Sequence, residues 1–160
     1  MKISNDSESE KFIEETITIA KSSTCERSKC GSIVVKDGEI IGKGFNSPPK
    51  DLESERRCNT EKNSYNKKVT DKTCCIHAEQ RAMFDALKNS PEKLEGSTLY
   101  FIRLNNSDEA SFAGKPYCTI CSKMALDLGI KNFVLSHENA VTTYDTEEYN
   151  KLSYEYSDEQ

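Results

Sequence analysis

The sequence lacks long hydrophobic runs, and it is poor in histidine, with only two in 160 residues. No apolar stretch reaches the about 18 residues that a membrane-spanning helix needs. The first residues, MKISNDSESEKF, are polar and do not resemble the apolar core of a secretory signal peptide. We therefore expect a cytoplasmic protein that does not contact a membrane.

An excess of positive charge is also missing. The formal net charge is −5, whereas proteins that bind polynucleotides usually carry a basic surface. The composition thus argues against a polynucleotide partner, although a few local cations would suffice for a small anionic ligand. Neither internal repeats nor low-complexity tracts are visible, and the length suits one domain, residues 1–160.

Hydrophobic periodicity predicts alternating helices and strands along most of the chain. We predict helices over 8–22, 77–89, 118–129 and 146–156, a hairpin over 32–45, and strands over 97–103 and 132–136. Residues 1–7 are interpreted as a frayed lead and 137–160 as a C-terminal helical segment, with no clear strand after residue 136. Helices between the later strands imply crossovers, and hence an α/β fold whose sheet is partly parallel.

Residues 47–74 are polar, show no period and contain Pro48-Pro49. A loop of this length in a compact domain is usually functional or disordered. It also carries the cations Arg56, Arg57, Lys62, Lys67, Lys68 and Lys72. Loop 47–74 is therefore either a specificity element that holds an anionic group or simply a solvated loop.

The most informative residues are His77 and Glu79, at a predicted helix start, and the pair Cys118 and Cys121, which opens the next helix. One imidazole and two thiolates form a ligand set that tetrahedral zinc accepts, with a fourth position left for water. Zinc lowers the pKa of such a water towards about 7, and a nearby carboxylate can move its proton. By itself the Cys-x-x-Cys motif is equally typical of structural zinc or redox chemistry.

Three segments together resemble the cytidine/deoxycytidylate deaminase superfamily, and most closely its deoxycytidylate deaminase branch. They are CERSKCGSIVVKDGEIIGKGFNSPP (25–49), CIHAEQRAM (75–83) and CTICSKMALDLGIKNFVL (118–135). The signature of His-x-Glu followed by Cys-x-x-Cys is that of the zinc deaminases. The resemblance implies a three-layer α-β-α cytidine-deaminase-like fold with a mixed central sheet.

The resemblance also implies a chemistry, the hydrolytic deamination of a cytosine nucleotide, with dCMP as the expected substrate. It implies His77, Cys118 and Cys121 as zinc ligands and Glu79 as the proton shuttle. The residues expected to contact the substrate are Asn46, Arg27, Lys29, Ala78 and Tyr117. Family resemblance further suggests a homo-oligomer.

The sequence departs from the family pattern around the expected substrate pocket. Tyr117 stands where proline normally precedes the first cysteine, and Ser47 replaces a glycine. The segment LNNSDEASFAGKPY separates the strand from Cys118. Deamination of a free or modified base, of a nucleoside, or of adenosine in tRNA therefore stays open, as does a zinc-stabilised binding module without catalysis.

Five cysteines remain, Cys25, Cys30, Cys58, Cys74 and Cys75. Cys58 and Cys74 bracket the long loop, and a second metal held with Cys25 or Cys30 would offset the entropy cost of ordering it. The alternative is that these cysteines are buried or free thiols. Cys75 is interpreted as packing beneath the active site.

Overall fold

The structure is a computed structural model that describes residues 1–4, 6–137 and 140–158. The strands found in these residues are β1 (Lys2–Ser4), β2 (Cys30–Lys36), β3 (Glu39–Phe45), β4 (Thr98–Arg103), β5 (Asn132–Ser136) and β6 (Val141–Asp145). The α-helices are α1 (Ser7–Ala20), α2 (Ala78–Asn89), α3 (Thr119–Asp127) and α4 (Thr146–Tyr154). No helix among the described residues has both the length and the apolar character that crossing a bilayer requires.

The six strands form one mixed sheet in the order β1-β6-β5-β4-β2-β3. Strands β4 and β5 are parallel, and the other neighbours are antiparallel. The predicted hairpin is confirmed, because Asp37 and Gly38 both have positive φ, 49° and 77°, as its two-residue turn requires. Helix α3 provides the crossover between β4 and β5, as the order of elements predicted.

Two sequence predictions were wrong at the edge of the sheet. Residues 2–4 are not frayed but form β1, which pairs antiparallel with β6. The segment 137–160 is not only helical, since β6 precedes α4. Both strands were missed because they are short, and in β6 two successive threonines interrupt the alternation that apolar residues would have revealed.

Helices cover both faces of the sheet, so the predicted three-layer arrangement is confirmed. On one face, Phe12 of α1 packs in a cluster with Ile33, Tyr100 and Val134. The opposite face carries a larger cluster that contains residues of α2, α3 and α4 together with residues of the sheet. The first residues of α2 and α3 are held by this larger cluster.

Helix α2 lies unusually close to β3, because Gly42 and Gly44 present no side chain to it. A Cβ atom at Gly42 would overlap the carbonyl oxygen of Ala82 and lie 2.8 Å from the Cβ of Ala86. A Cβ at Gly44 would overlap the carbonyl oxygen of Ala78. The position of the start of α2 therefore depends on these two glycines.

We expect Gly42→Ala to lower the free energy of unfolding by about 3 kcal/mol, because the added methyl group meets helix backbone that cannot move aside alone. Urea denaturation followed by circular dichroism measures this. Lys43→Ala is the matched control, because Lys43 is exposed on the same strand and its loss should change stability by less than about 0.5 kcal/mol. Equal stabilities of the two variants would contradict the close packing.

Candidate active site

The N-terminal ends of α2 and α3 meet at one end of the sheet. His77 is the N-cap of α2, and Cys118 is the N-cap of α3 with Cys121 in its first turn. The backbone N–H of His77 donates to Gln80 Oε1 at 3.1 Å, which fixes the start of α2. The sequence placed all three side chains at helix starts, and the structure brings them together.

The three candidate ligand atoms lie close enough to share one ion. His77 Nδ1 is 3.3 Å from Cys118 Sγ and 3.4 Å from Cys121 Sγ, and all three lie within 4.8 Å of one another. Tetrahedral zinc, with bonds of about 2.3 Å to sulfur and 2.0 Å to nitrogen, separates such atoms by about 3.5 Å. The donor set and its spacing therefore fit zinc.

The second nitrogen of the imidazole faces a carboxylate from the long loop. His77 Nε2 is buried and has no hydrogen-bond partner within the described chain, but it lies 3.3 Å from Asp71 Oδ2. When Nδ1 of a histidine binds a metal, the other N–H normally points to such a carboxylate. Loop 47–74 thus reaches the candidate metal site through Asp71.

Charge around the three ligands favours a bound cation. The Cys121 thiol and the His77 ring lower the pKa of Cys118 to about 5, even though burial opposes this, so Cys118 is a thiolate at neutral pH. Burial alone would lower the pKa of His77, but the Cys118 thiolate, Glu79 and Asp71 raise it to about 9. A metal ion would take the place of the proton that this negative charge attracts.

Glu79 lies in the first turn of α2, where it is only 6% exposed. Burial, with the nearby Cys118 thiolate adding to it, raises the pKa of Glu79 to about 7, while His77 opposes the rise. A carboxyl group with such a pKa exchanges protons readily near neutral pH. Glu79 lines the same cavity as two of the candidate ligands, His77 and Cys118.

This cavity has a volume of about 220 Å³ and opens between α2, the end of β4 and the long loop. Its walls mix aromatic, polar and charged side chains. The lining residues are Cys25, Arg27, Ser28, Cys30, Asn46, Lys62, Thr73, Cys75, His77, Ala78, Glu79, Phe101, Arg103, Tyr117 and Cys118. Such a cavity, with a candidate metal site at its inner end, suits a small polar ligand.

Comparison with known families decides the relationship. Residues 6–137 match the model of the cytidine and deoxycytidylate deaminase zinc-binding region. The chain belongs to this deaminase family. The resemblance that the sequence motifs predicted is thereby confirmed, and the matched region contains both helices that carry the candidate ligands.

Individual relatives agree with the family assignment. A deoxycytidylate deaminase of Mycobacterium phage D29 is 30% identical over 136 residues, which is 81% of this chain and 94% of the relative. The crystal structure of the dCMP deaminase from cyanophage S-TIM5 in complex with dCMP and dUMP has a TM-score of 0.60 and 25% identity, covering 82% of each chain. A cytidine deaminase from Burkholderia pseudomallei, at 16% identity and a TM-score of 0.58 over 88% and 94% of the two chains, shares the fold.

Four of the five residues expected to contact the substrate line the cavity. They are Arg27, Asn46, Ala78 and Tyr117. The Asn46 side chain is nevertheless committed within the protein, because Oδ1 accepts from the N–H of Cys30 at 2.8 Å and Nδ2 donates to the Ser28 carbonyl at 2.8 Å. Asn46 therefore shapes the cavity wall at least as much as it could contact a ligand.

The two cations expected near a substrate phosphate are placed differently. Lys29 does not line the cavity and forms an ion pair with Asp108 at 3.2 Å, so its contact with the substrate stays a prediction. Arg27 does line the cavity, but its guanidinium donates to the carbonyl oxygens of Cys58 at 2.7 Å and Thr60 at 2.6 Å. Arg27 thus holds the long loop in place.

Sequence reasoning missed Arg103, Phe101 and Asp71. Arg103 and Phe101 come from the C-terminal end of β4 and line the cavity. A charged residue that ends an otherwise buried strand was a usable signal for Arg103, since binding groups often stand at strand ends. Asp71 is one acidic residue among many polar neighbours in loop 47–74, and no sequence signal distinguishes it from them.

A second group of sulfur atoms lies beside the cavity. The thiols of Cys25, Cys58 and Cys75 lie within 4.8 Å of one another. Cys74 Sγ is 3.5 Å from Cys58 Sγ and 3.8 Å from Cys75 Sγ. We call these four residues the cysteine cluster. It differs from the predicted set, because Cys75 takes the place assigned to Cys30.

Cys30 is excluded from the cysteine cluster by its position on β2. Its Sγ lies 3.5 Å from Ser28 Oγ, on the cavity wall. Burial raises the pKa of Cys30 to about 11, so it stays a neutral thiol at physiological pH. Among the described residues, the group that could hold a second metal contains Cys25, Cys58 and Cys75, and not Cys30.

Proposed function

We propose that this chain is a zinc-dependent enzyme that hydrolytically deaminates dCMP to dUMP. The observation that carries the proposal is the cluster of His77, Cys118 and Cys121 beside a cavity that is also lined by the buried carboxyl group of Glu79. Membership of the deaminase family supports the reaction. The phage relative named a deoxycytidylate deaminase, and the neighbour crystallised with dCMP and dUMP, support the substrate.

His77, Cys118 and Cys121 would hold the zinc ion. When bound, zinc supplies the Lewis acidity that lets water attack at neutral pH. Glu79 accepts a proton from the attacking water and passes protons to N3 of the cytosine and to the departing amino group. Its burial keeps this carboxyl group away from bulk solvent, so the proton is exchanged with the substrate.

The remaining residues position the nucleotide. Ala78 lies between His77 and Glu79 in sequence and lines the cavity, where its backbone would face the reacting base. Phe101 and Tyr117 provide aromatic surface to the base. Arg27, Asn46 and Asp71 hold the walls and the long loop around it.

Release of ammonia from a panel of amino-substituted compounds tests the proposed function. The panel contains cytosine, cytidine, deoxycytidine, CMP, dCMP, dCTP, guanine, adenosine and a tRNA anticodon stem-loop, each incubated with zinc-loaded protein. We expect turnover of dCMP with the highest kcat/KM. A higher kcat/KM for an unphosphorylated base, a nucleoside or the tRNA would show that dCMP is not the preferred substrate. No turnover of any compound would favour a binding module without catalysis.

We also propose a structural metal at the cysteine cluster. Four thiolates are a common ligand set for structural zinc. Arg56 Nη1 lies 3.4 Å from Cys58 Sγ, and its positive charge favours the thiolate form. Cys58 and Cys74 are 16 residues apart in loop 47–74. A metal bound to both would join the two ends of the segment between them, which contains Asp71, and would thereby stabilise it.

We expect the purified protein to contain two zinc ions per chain, and Cys58→Ser to contain one. Inductively coupled plasma mass spectrometry measures the stoichiometry. In Cys58→Ser the long loop should be cleaved faster by protease, since the metal no longer closes it. Cys30→Ser is the control, because its thiol lies outside the cysteine cluster, and it should keep both ions. One zinc per chain in the wild type would contradict this second site.

Assembly into a homo-oligomer and a cytoplasmic location remain predictions from the family resemblance and from the sequence. Tyr154 and Tyr156, at 64% and 48% exposure, provide apolar surface at the end of α4 that an oligomer would bury. Light scattering coupled to size-exclusion chromatography measures the mass, and a monomer at micromolar concentration would contradict the first prediction.

A further inference from the structure

Arg103 lines the cavity, and its charge has no assigned use in the reaction described above. It ends β4 and lines the cavity together with Glu79 and Tyr117. Its Nη2 donates to the Tyr117 hydroxyl at 3.0 Å, which holds the guanidinium in one orientation. Its Nε is buried and has no hydrogen-bond partner in the described part of the chain.

A buried guanidinium nitrogen without an acceptor is costly, because the lost hydration is not replaced. A buried polar group without a partner calls for an explanation, and a bound ligand that supplies the acceptor is one. No carboxylate forms an ion pair with Arg103 within the described residues. Arg103 therefore lines the same cavity as Glu79 with a donor, Nε, that has no partner in the described part of the chain.

Two of the cations that the sequence suggested near a substrate phosphate are engaged by other parts of the protein. Lys29 pairs with Asp108, and Arg27 donates to two carbonyl oxygens of the long loop. The segment 104–117 that follows Arg103 ends at Tyr117, the residue that orients it. This segment thus supplies the support for a cation at the cavity wall.

We propose that Arg103, oriented by Tyr117, is a specificity-determining residue that donates hydrogen bonds to an oxygen acceptor of the nucleotide substrate. The inference rests on the proposed function and adds to it a substrate contact made by Arg103. Two oxygens of dCMP have the required chemistry, the O2 carbonyl of the base and the 5′-phosphate. A charged donor recognises either one, and the phosphate also offers bidentate geometry.

The test compares Arg103→Met and Arg103→Lys with the wild type on dCMP and on deoxycytidine, with KM and kcat measured separately. We expect Arg103→Met to lower kcat/KM for dCMP by about 10- to 100-fold, mainly through KM. Arg103→Lys should recover part of this. A loss confined to dCMP identifies the phosphate as the acceptor, and an equal loss on both substrates identifies the O2 carbonyl.

Tyr117→Phe is the second variant, because it removes the hydroxyl that holds Arg103 but keeps the aromatic ring. It should raise KM in the same direction as Arg103→Met, by a smaller factor. Lys131→Met is the charge-matched control, since Lys131 is exposed at the opposite end of the β4–β5 pair and its loss should leave KM unchanged. Thermal melting of each variant separates a loss of binding from a loss of folding.

Binding of dCMP to Glu79→Gln and to the Glu79→Gln/Arg103→Met double variant, measured by calorimetry, separates this inference from the proposed function. Wild-type turnover of dCMP together with equal affinities of the two variants would overturn the role of Arg103 and leave the function standing. Absence of both turnover and dCMP binding in the wild type would overturn the function and the inference together.

Discussion

Replacing Glu79 by glutamine is expected to lower kcat for dCMP deamination by about 10²- to 10⁴-fold, the range that proton transfer by one positioned side chain usually contributes. Glutamine has nearly the same shape, but its amide can neither accept the proton of the attacking water nor return one to the leaving group. Because Glu79 is only 6% exposed, solvent cannot easily replace it. Steady-state formation of dUMP, followed by ultraviolet absorbance, measures the effect.

Glu92→Gln is the matched control for Glu79→Gln, since Glu92 is exposed near the far end of α2. It should leave kcat within about twofold of the wild type, because surface substitutions away from special features rarely change a protein measurably. Glu79→Gln itself should retain its zinc and its melting temperature. A variant that deaminates dCMP at more than a tenth of the wild-type rate would remove Glu79 from the proposed chemistry.

Replacing Cys121 by serine is expected to abolish turnover, with a loss of about one zinc ion per chain. Cys121 is fully buried, and its sulfur lies 3.4 Å from His77 Nδ1. A serine hydroxyl does not ionise at neutral pH and is not among the usual protein ligands of zinc. Activity and zinc content should therefore fall together, which mass spectrometry and the dUMP assay determine on the same sample.

Cys30→Ser is again the matched control, because it changes a buried thiol of the cavity wall that is outside both sulfur groups. The Cys30→Ser variant should keep the zinc ion held by His77, Cys118 and Cys121. Removing zinc from the wild type with a chelator should abolish turnover as well, and adding zinc back should restore it. Full activity in Cys121→Ser, or in the metal-free protein, would exclude the proposed ligand set.

The sequence predicted the parts of this fold that have strong local signals. Asp37-Gly38 fixed the hairpin because only a few residues tolerate two successive positive φ angles. His77, Glu79, Cys118 and Cys121 were placed at helix starts by the periodic residues that follow them. Their spacing along the helices already limited which of them could face one ion.

Other features depend on contacts between distant segments, and no local pattern announces them. Strands β1 and β6 are three and five residues long, and they are strands because they pair with each other and with β5. Membership of Cys75 in the cysteine cluster required the path of loop 47–74, which has no period. The engagement of Arg27 and Lys29 likewise follows from that path and from the segment 104–117.

The two glycines of β3 have a consequence for how this protein will appear in mutational scanning. Any side chain at Gly44 presses on the carbonyl oxygen of Ala78, the residue between His77 and Glu79 in the chain. We expect selection for activity to deplete substitutions at Gly42 and Gly44 nearly as strongly as those at the metal ligands, although neither lines the cavity. The positions that do not tolerate substitution would then include the residues of β3 that pack against α2 as well as the catalytic residues.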